Sequence, residues 1–206
     1  MKKDGELVWN VDHGFCPTRP DRSTYSGDYW NEYIARSEKP MGRSLTDARI
    51  NLVQRYLGKS LVVDIGIGSG QFVQTRLGYE GITFGYDVNP FGVRWLVERN
   101  LWWDPYFQDP PSVTFWDSLE HIERPDDLLS RVQRFIFMSI PIFLDREHVL
   151  RSKHFKPSEH FWYFTRDGLV LRMDRNGFRL REENTMETNL GREDIRTFVF
   201  EKRLTR

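Results

Sequence analysis

The stretch "LVVDIGIGSG", residues 61–70, decides the fold. Leu61, Val62, Val63 and Ile65 surround a single acid, Asp64; then Gly66, Gly68 and Gly70 alternate with Ile67 and Ser69. A short apolar run bounded by turn residues reads as a strand buried on both faces. A glycine loop after such a strand leads into a helix whose first N–H groups face a ligand. The dinucleotide fingerprint G-x-G-x-x-G would put its third glycine at position 71, which is Gln71. The spacing here is G-x-G-x-G, and Asp64 stands two residues before the first glycine. A carboxylate there raises the electrostatic cost of binding a pyrophosphate, whereas an ammonium or sulfonium group gains from it.

Moving outward, "ITFGYD" (82–87) reads as the next strand and ends on Asp87, 23 residues beyond Asp64. A carboxylate at that strand tip suits the two hydroxyls of a ribose. Further strands are expected at 113–116, 135–140, 178–182 and 195–201. Helices are expected from 28, over 44–57 with Ser44 as cap and Asp47 as its partner, and at 71–76, 91–100, 125–132 and 166–176. Residues 1–27 read as irregular, and 101–111 resist assignment. Alternating strands and helices predict one α/β domain over 1–206. It is a Rossmann-like, doubly wound, mostly parallel sheet of about seven strands with an antiparallel C-terminal strand. In such sheets the ligand lies off the carboxyl ends of the strands, so the loops after Ile65, Tyr86 and Trp116 should share one site.

"VVDIGIGSG" resembles the first motif of the class I S-adenosyl-L-methionine (SAM)-dependent methyltransferases, and "GYD" the second. "VTFWDSLEHIERPDDLL", "SIPIF" and "KPSEHFWYFTRDGLVLRMDRNGF" resemble, in order, later segments of their small-molecule branch, which includes quinone-biosynthesis-like enzymes. The resemblance covers about residues 45–180 and extends to small methyltransferase-like proteins of prophages. It departs from the family in lacking a Pro-Gly-Gly turn before the fifth strand and a clear adenine-contacting acid after the third. The resemblance implies SAM as cofactor and S-adenosyl-L-homocysteine as product. It assigns the ligand's ammonium to Asp64, its close backbone approach to Gly66, Gly68 and Gly70, and its ribose to Asp87 with Asn89 nearby. Asp117 and Ser118 would lie near the transferred methyl, and residues 1–57 would cover the cleft, with Arg43 pairing to the SAM carboxylate. Each residue also has a plainer reading: a tight turn for the glycines, an Asn-Pro turn for Asn89, a solvated helix start for Arg43.

Candidate bases for an acceptor are Glu120, His121, His154 and His160. Glu120 and His121 serve equally as caps for the helix near Pro125, and the histidines as packed, hydrogen-bonded residues. The six-residue spacing of His148, His154 and His160 is neither a helical face nor a tight ligand pattern, so no metal is expected from it.

Composition bounds the rest. Thirty basic and thirty acidic residues give a formal net charge of zero, which argues against a chain that mainly grips a polyanion. No N-P-P-Y-like motif is present, since Asn89-Pro90 is followed by Phe91, so a nucleic-acid acceptor is not supported. A small molecule, glycan or peptide is expected instead. A single cysteine, Cys16, points to a reducing, cytoplasmic setting. The apolar run 135–144 is too short to span a bilayer. A SAM-binding or partner-binding module without turnover remains the alternative; a NAD-dependent oxidoreductase is disfavoured by Gln71 and Asp64.

Overall fold

The computed structural model describes residues 7–17 and 26–203, apart from the side chain of Tyr29. Its elements in chain order begin with β1 (Val8–Trp9), β2 (His13–Phe15), α1 (Gly27–Ser37), α2 (Pro40–Leu57), β3 (Val62–Ile65) and α3 (Gln71–Gly78). They continue with β4 (Thr83–Tyr86), α4 (Pro90–Glu98), β5 (Ser112–Trp116), a 3-10 turn (Leu119–His121), α5 (Pro125–Leu129) and β6 (Phe135–Phe143). The chain closes with α6 (Arg146–Arg151), β7 (Trp162–Thr165), α7 (Arg166–Arg175), β8 (Phe178–Asn184), α8 (Met186–Asn189) and β9 (Ile195–Lys202).

The central sheet runs β4-β3-β5-β6-β9-β8. The first four strands are parallel, and β9 lies antiparallel between β6 and β8. Trp102 forms a single parallel bridge to Gly85, which brings the otherwise irregular 101–111 segment against the β4 edge. The mostly parallel α/β sheet with an antiparallel C-terminal strand agrees with the sequence reading. The annex on the other side does not: β7 pairs with β2, and β2 with β1, both antiparallel. Residues 7–17 are therefore partly strand rather than irregular. The remainder of the stretch expected to be irregular, 1–6 and 18–25, lies outside the described residues.

β6 serves both sheets. Residues from Phe135 to Pro141 pair with β9, whereas Ile142 and Phe143 pair with β7. Pro141, which has no N–H to give a ladder, sits where the strand changes partner.

Strand residues alternate between two buried layers. Val63, Ile65, Val113, Phe115, Ile136 and Met138 pack with Leu128 and Leu129 of α5 and Leu169 and Met173 of α7. Val62, Phe135 and Phe137 pack with Ile50, Leu52 and Val53 of α2 and Phe72 of α3. Each such side chain contributes about 1.5–3 kcal/mol when fully buried, so the register is strongly held. That register fixes Asp64 on the face of Val62; a slip of one residue would exchange it for Val63.

α2 begins at Pro40 rather than at Ser44. Proline at the first helical position loses no hydrogen bond, and Ser44 lies inside the helix as an exposed residue. Gly58 ends it at φ 55°.

Candidate active site

A cavity of about 1320 Å³ opens off the carboxyl ends of β3, β4 and β5. Its walls come from α1 and α2, from residues 66–69, from Asp87–Asn89, from the segment after β5, and from residues 153–161. Asp64, Gly66, Gly68, Asp87, Asn89, Asp117, Ser118, Glu120, His121, His154 and His160 all line it. Two expected residues do not. Arg43 is exposed, outside the cavity wall, while Arg36, Lys39 and Arg49 do line it. Gly70 serves the turn: it starts α3 at φ 76°, and a Cβ there would come within 2.9 Å of the Trp95 ring.

The glycine loop is tight on both sides. Gly66 has φ 78°, and a Cβ on it would lie 2.7 Å from Ser118 Cβ. Ser118 Oγ donates to the carbonyl of Ile65, so the end of β3 and the segment after β5 are locked together. Gln71 closes the loop on its far side. Its Oε1 accepts from Thr46 Oγ1 of α2 at 2.7 Å, and its Nε2 donates to the carbonyl of Ser37 in α1 at 2.8 Å. The residue that breaks the dinucleotide spacing thus ties both N-terminal helices to the loop.

Asp64 is 1% exposed, and Thr114 Oγ1 donates to its Oδ1. Burial pushes its pKa up to about 7, against the opposing effects of the Thr114 hydrogen bond and the Arg49 charge. Asp87 is also raised by burial, to about 6, although it accepts backbone hydrogen bonds from Asn89, Val88, Ile67 and Gly68. Asn89 caps α4, its Oδ1 accepting from Phe91 N at 3.0 Å.

The far wall carries the candidate bases. Glu120 is 2% exposed, its Oε2 has no hydrogen-bond partner among the described residues, and burial followed by the Asp117 charge lifts its pKa to about 8. His121 Nδ1 lies 2.9 Å from the carbonyl of Glu159, a contact that makes Nδ1 the donor. The His121 and His160 rings meet edge to face, with centroids 4.6 Å apart. Burial lowers the pKa of both histidines, so both are neutral near pH 7. His154 stands apart, its Nε2 3.0 Å from the carbonyl of Glu193.

Sequence reasoning did not anticipate the ion-pair cluster beside this wall. Asp117, at the unusual φ of 57°, is held bidentately by Arg192 at 2.7 and 2.9 Å. Arg192 also reaches Glu187, which is fully buried and accepts from Arg49 Nε at 2.7 Å. Arg49 in turn lies over the Trp116 ring, 5.0 Å from its centroid. Partners lying 75 and 138 residues apart leave no local signal in the sequence.

No family model and no curated protein sequence matches the chain. Solved structures do. A magnesium protoporphyrin IX methyltransferase from Synechocystis PCC 6803 with bound SAH has a TM-score of 0.62 and 14% identity, covering 88% of this chain and 98% of that one. A Burkholderia thailandensis 1,6-didemethyltoxoflavin-N1-methyltransferase with bound 1,6-didemethyltoxoflavin and S-adenosylhomocysteine has a TM-score of 0.63 and 11% identity, covering 96% and 99%. A SAM-dependent methyltransferase from Archaeoglobus fulgidus has a TM-score of 0.58 and 21% identity, covering 82% and 99%. The order of the strands, the glycine loop after β3 and the position of the cavity agree with this likeness: the chain is built on the fold of the class I SAM-dependent methyltransferases.

Proposed function

We propose that the protein transfers a methyl group from SAM to an oxygen or nitrogen atom of a small molecule, glycan or peptide, leaving S-adenosyl-L-homocysteine. The observation that carries this reading is the buried Asp64 on the wall of a large cavity. A carboxylate 1% exposed with a neutral hydroxyl as its side-chain hydrogen-bond donor suits a cationic ligand and opposes a pyrophosphate. The cavity exceeds the roughly 300–1,000 Å³ of an ordinary small-molecule site, so cofactor and acceptor fit together.

SAM, when bound, supplies a methyl group already activated on a sulfonium, so the chain's own residues mainly position the reactants. Asp64 would meet the ammonium, Asp87 the ribose hydroxyls, and the exposed Val88 and Tyr106 the adenine. Asp117 and Ser118 would stand near the methyl. Glu120, His121, His154 and His160 face the space left for the acceptor, where one can receive its proton. Residues 27–57 would cover the cleft, with Arg36 rather than Arg43 placed for the SAM carboxylate. Among the described residues no helix is long and apolar enough to cross a membrane. The one-cysteine composition suits a reducing cytoplasm.

Titration calorimetry with SAM and S-adenosyl-L-homocysteine tests the cofactor: absence of saturable binding by the folded protein sinks the proposal. Labelled methyl appearing on an acceptor in a cell extract tests turnover. Tight SAM binding without any labelled product would favour a binding module on the same fold.

A further inference from the structure

We infer that Glu120, His121 and His160 form a site for a divalent transition-metal cation on the far wall of the cavity. Their donor atoms all lie within 4.8 Å of one another. An ion with bonds of about 2.0–2.2 Å draws such atoms to about 3 Å apart, a movement of side-chain tips alone. All three residues line the cavity, so a bound ion keeps open positions toward it.

Three further observations support the site. First, Glu120 Oε2 is buried without a hydrogen-bond partner among the described residues. A buried oxygen left unpaired costs free energy and calls for an explanation, and a cation supplies one. Second, His121 donates from Nδ1 to the Glu159 carbonyl, which leaves the Nε2 lone pair as its ligand atom. Metal-ligating histidines are held in this way by a second partner. Third, the two segments are stitched together before any ion arrives, because Phe161 N donates to the Glu120 carbonyl at 2.9 Å. The ligands therefore sit on a preformed frame.

Two imidazoles and one carboxylate favour zinc, iron, cobalt or nickel over magnesium or calcium. Asp117, three residues before Glu120, is engaged by Arg192 and stays outside the ligand set. The site's use, which rests on the methyltransferase reading, would be to hold an acceptor oxygen in one of the open positions and so to favour a hydroxyl or carboxylate acceptor over an amine.

The test is metal binding by the full chain, freed of metal with a chelator and titrated with Co2+ and with Zn2+. Expected are one equivalent bound, a visible Co2+ spectrum that includes nitrogen ligation, and, in Glu120→Gln and His160→Gln, an affinity loss of at least about tenfold, the smaller end of what losing even an outer-shell partner costs. No binding by the wild-type protein, or unchanged affinity in both folded variants, would overturn the site. The Co2+ spectrum of the wild-type protein decides the matter should a variant fail to fold. SAM titrated into the same samples separates the two readings: SAM binding without metal binding removes only the metal site, and the reverse removes only the methyltransferase.

Discussion

Thr114 Oγ1 donates a 2.6 Å hydrogen bond to Asp64 Oδ1, joining two neighbouring strands directly beneath the glycine loop. The bond favours the ionised carboxylate in a place where burial favours the neutral acid. Thr114→Val removes the donor and keeps the shape. At pH 7 it should weaken SAM binding about tenfold, the scale of a hydrogen bond to a charged group. Calorimetry on both proteins checks this, and equal affinities would detach Asp64 from the cofactor.

The same residue sets a pH dependence. Its folded pKa of about 7 stands above the ordinary 3.8, so the folded chain holds a proton that the unfolded chain releases. The resulting stabilisation is complete below pH about 4 and is lost as pH rises through about 7. A cationic ligand reverses the preference and expels the proton. SAM affinity should therefore rise about tenfold from pH 6 to pH 8, with proton release visible as a heat that varies between buffers of different ionisation enthalpy. Flat affinity across that window would contradict the contact.

Gly66→Ala and Gly58→Ala form a matched pair. Both positions have positive φ, 78° and 55°, so both substitutions carry backbone strain that glycine avoids; Gly58, with ψ −125°, lies outside the left-handed helical well. Only at Gly66 does the new Cβ also strike Ser118, at 2.7 Å; at Gly58 nothing lies within 4 Å. Urea denaturation should show a stability loss for both, while SAM binding is lost only in Gly66→Ala and kept in Gly58→Ala.

Glu187 is a structural charge with the opposite pH sign to Asp64. Desolvation pushes its pKa up, but Arg49 and Arg192 together outweigh that and hold it at about 2. Its stabilisation is present above the ordinary carboxylate range and is lost as pH falls from about 4.5 toward about 2. Glu187→Gln breaks a buried pair and should cost about 3–5 kcal/mol, read by denaturation at pH 7, with much of the wild-type protein's acid sensitivity gone. A loss below about 1 kcal/mol, the range of a surface pair, would show that solvent reaches the cluster.

Local patterns made the central fold legible. The apolar run before Gly66, the acid at the tip of β4 and the alternation of strand and helix each depend on neighbours in sequence. The departures were non-local. β1, β2 and β7 are two to four residues long and gain their structure from one another, so no periodicity announces them. Pro40 carried the start of α2, yet Ser44, a plausible cap, drew the boundary four residues late. Gln71 was legible only as a break in the dinucleotide spacing; its two hydrogen bonds to α1 and α2 show what it does. Glu120 and His121 were singled out beside His160, but their convergence across about forty residues rests on non-local bonds, Phe161 N to the Glu120 carbonyl and His121 Nδ1 to the Glu159 carbonyl. Arg192 gave no sign at all, since its partners sit 75 and 5 residues away and share no pattern.

The change of partner along β6 makes that strand a ruler. One end pairs with β5, the neighbour of the strand that carries Asp64, and the other pairs with β7, which begins two residues after His160. On the methyltransferase reading, the distance from the cofactor loops to His160 is thus set in part by a single nine-residue strand. One residue inserted near Pro141 would displace β7 and the neighbouring His160 against Asp64 by about 3.3 Å. Methyl transfer requires reacting atoms about 3–3.5 Å apart, so on that reading a chain altered in this way should still bind SAM yet lose turnover.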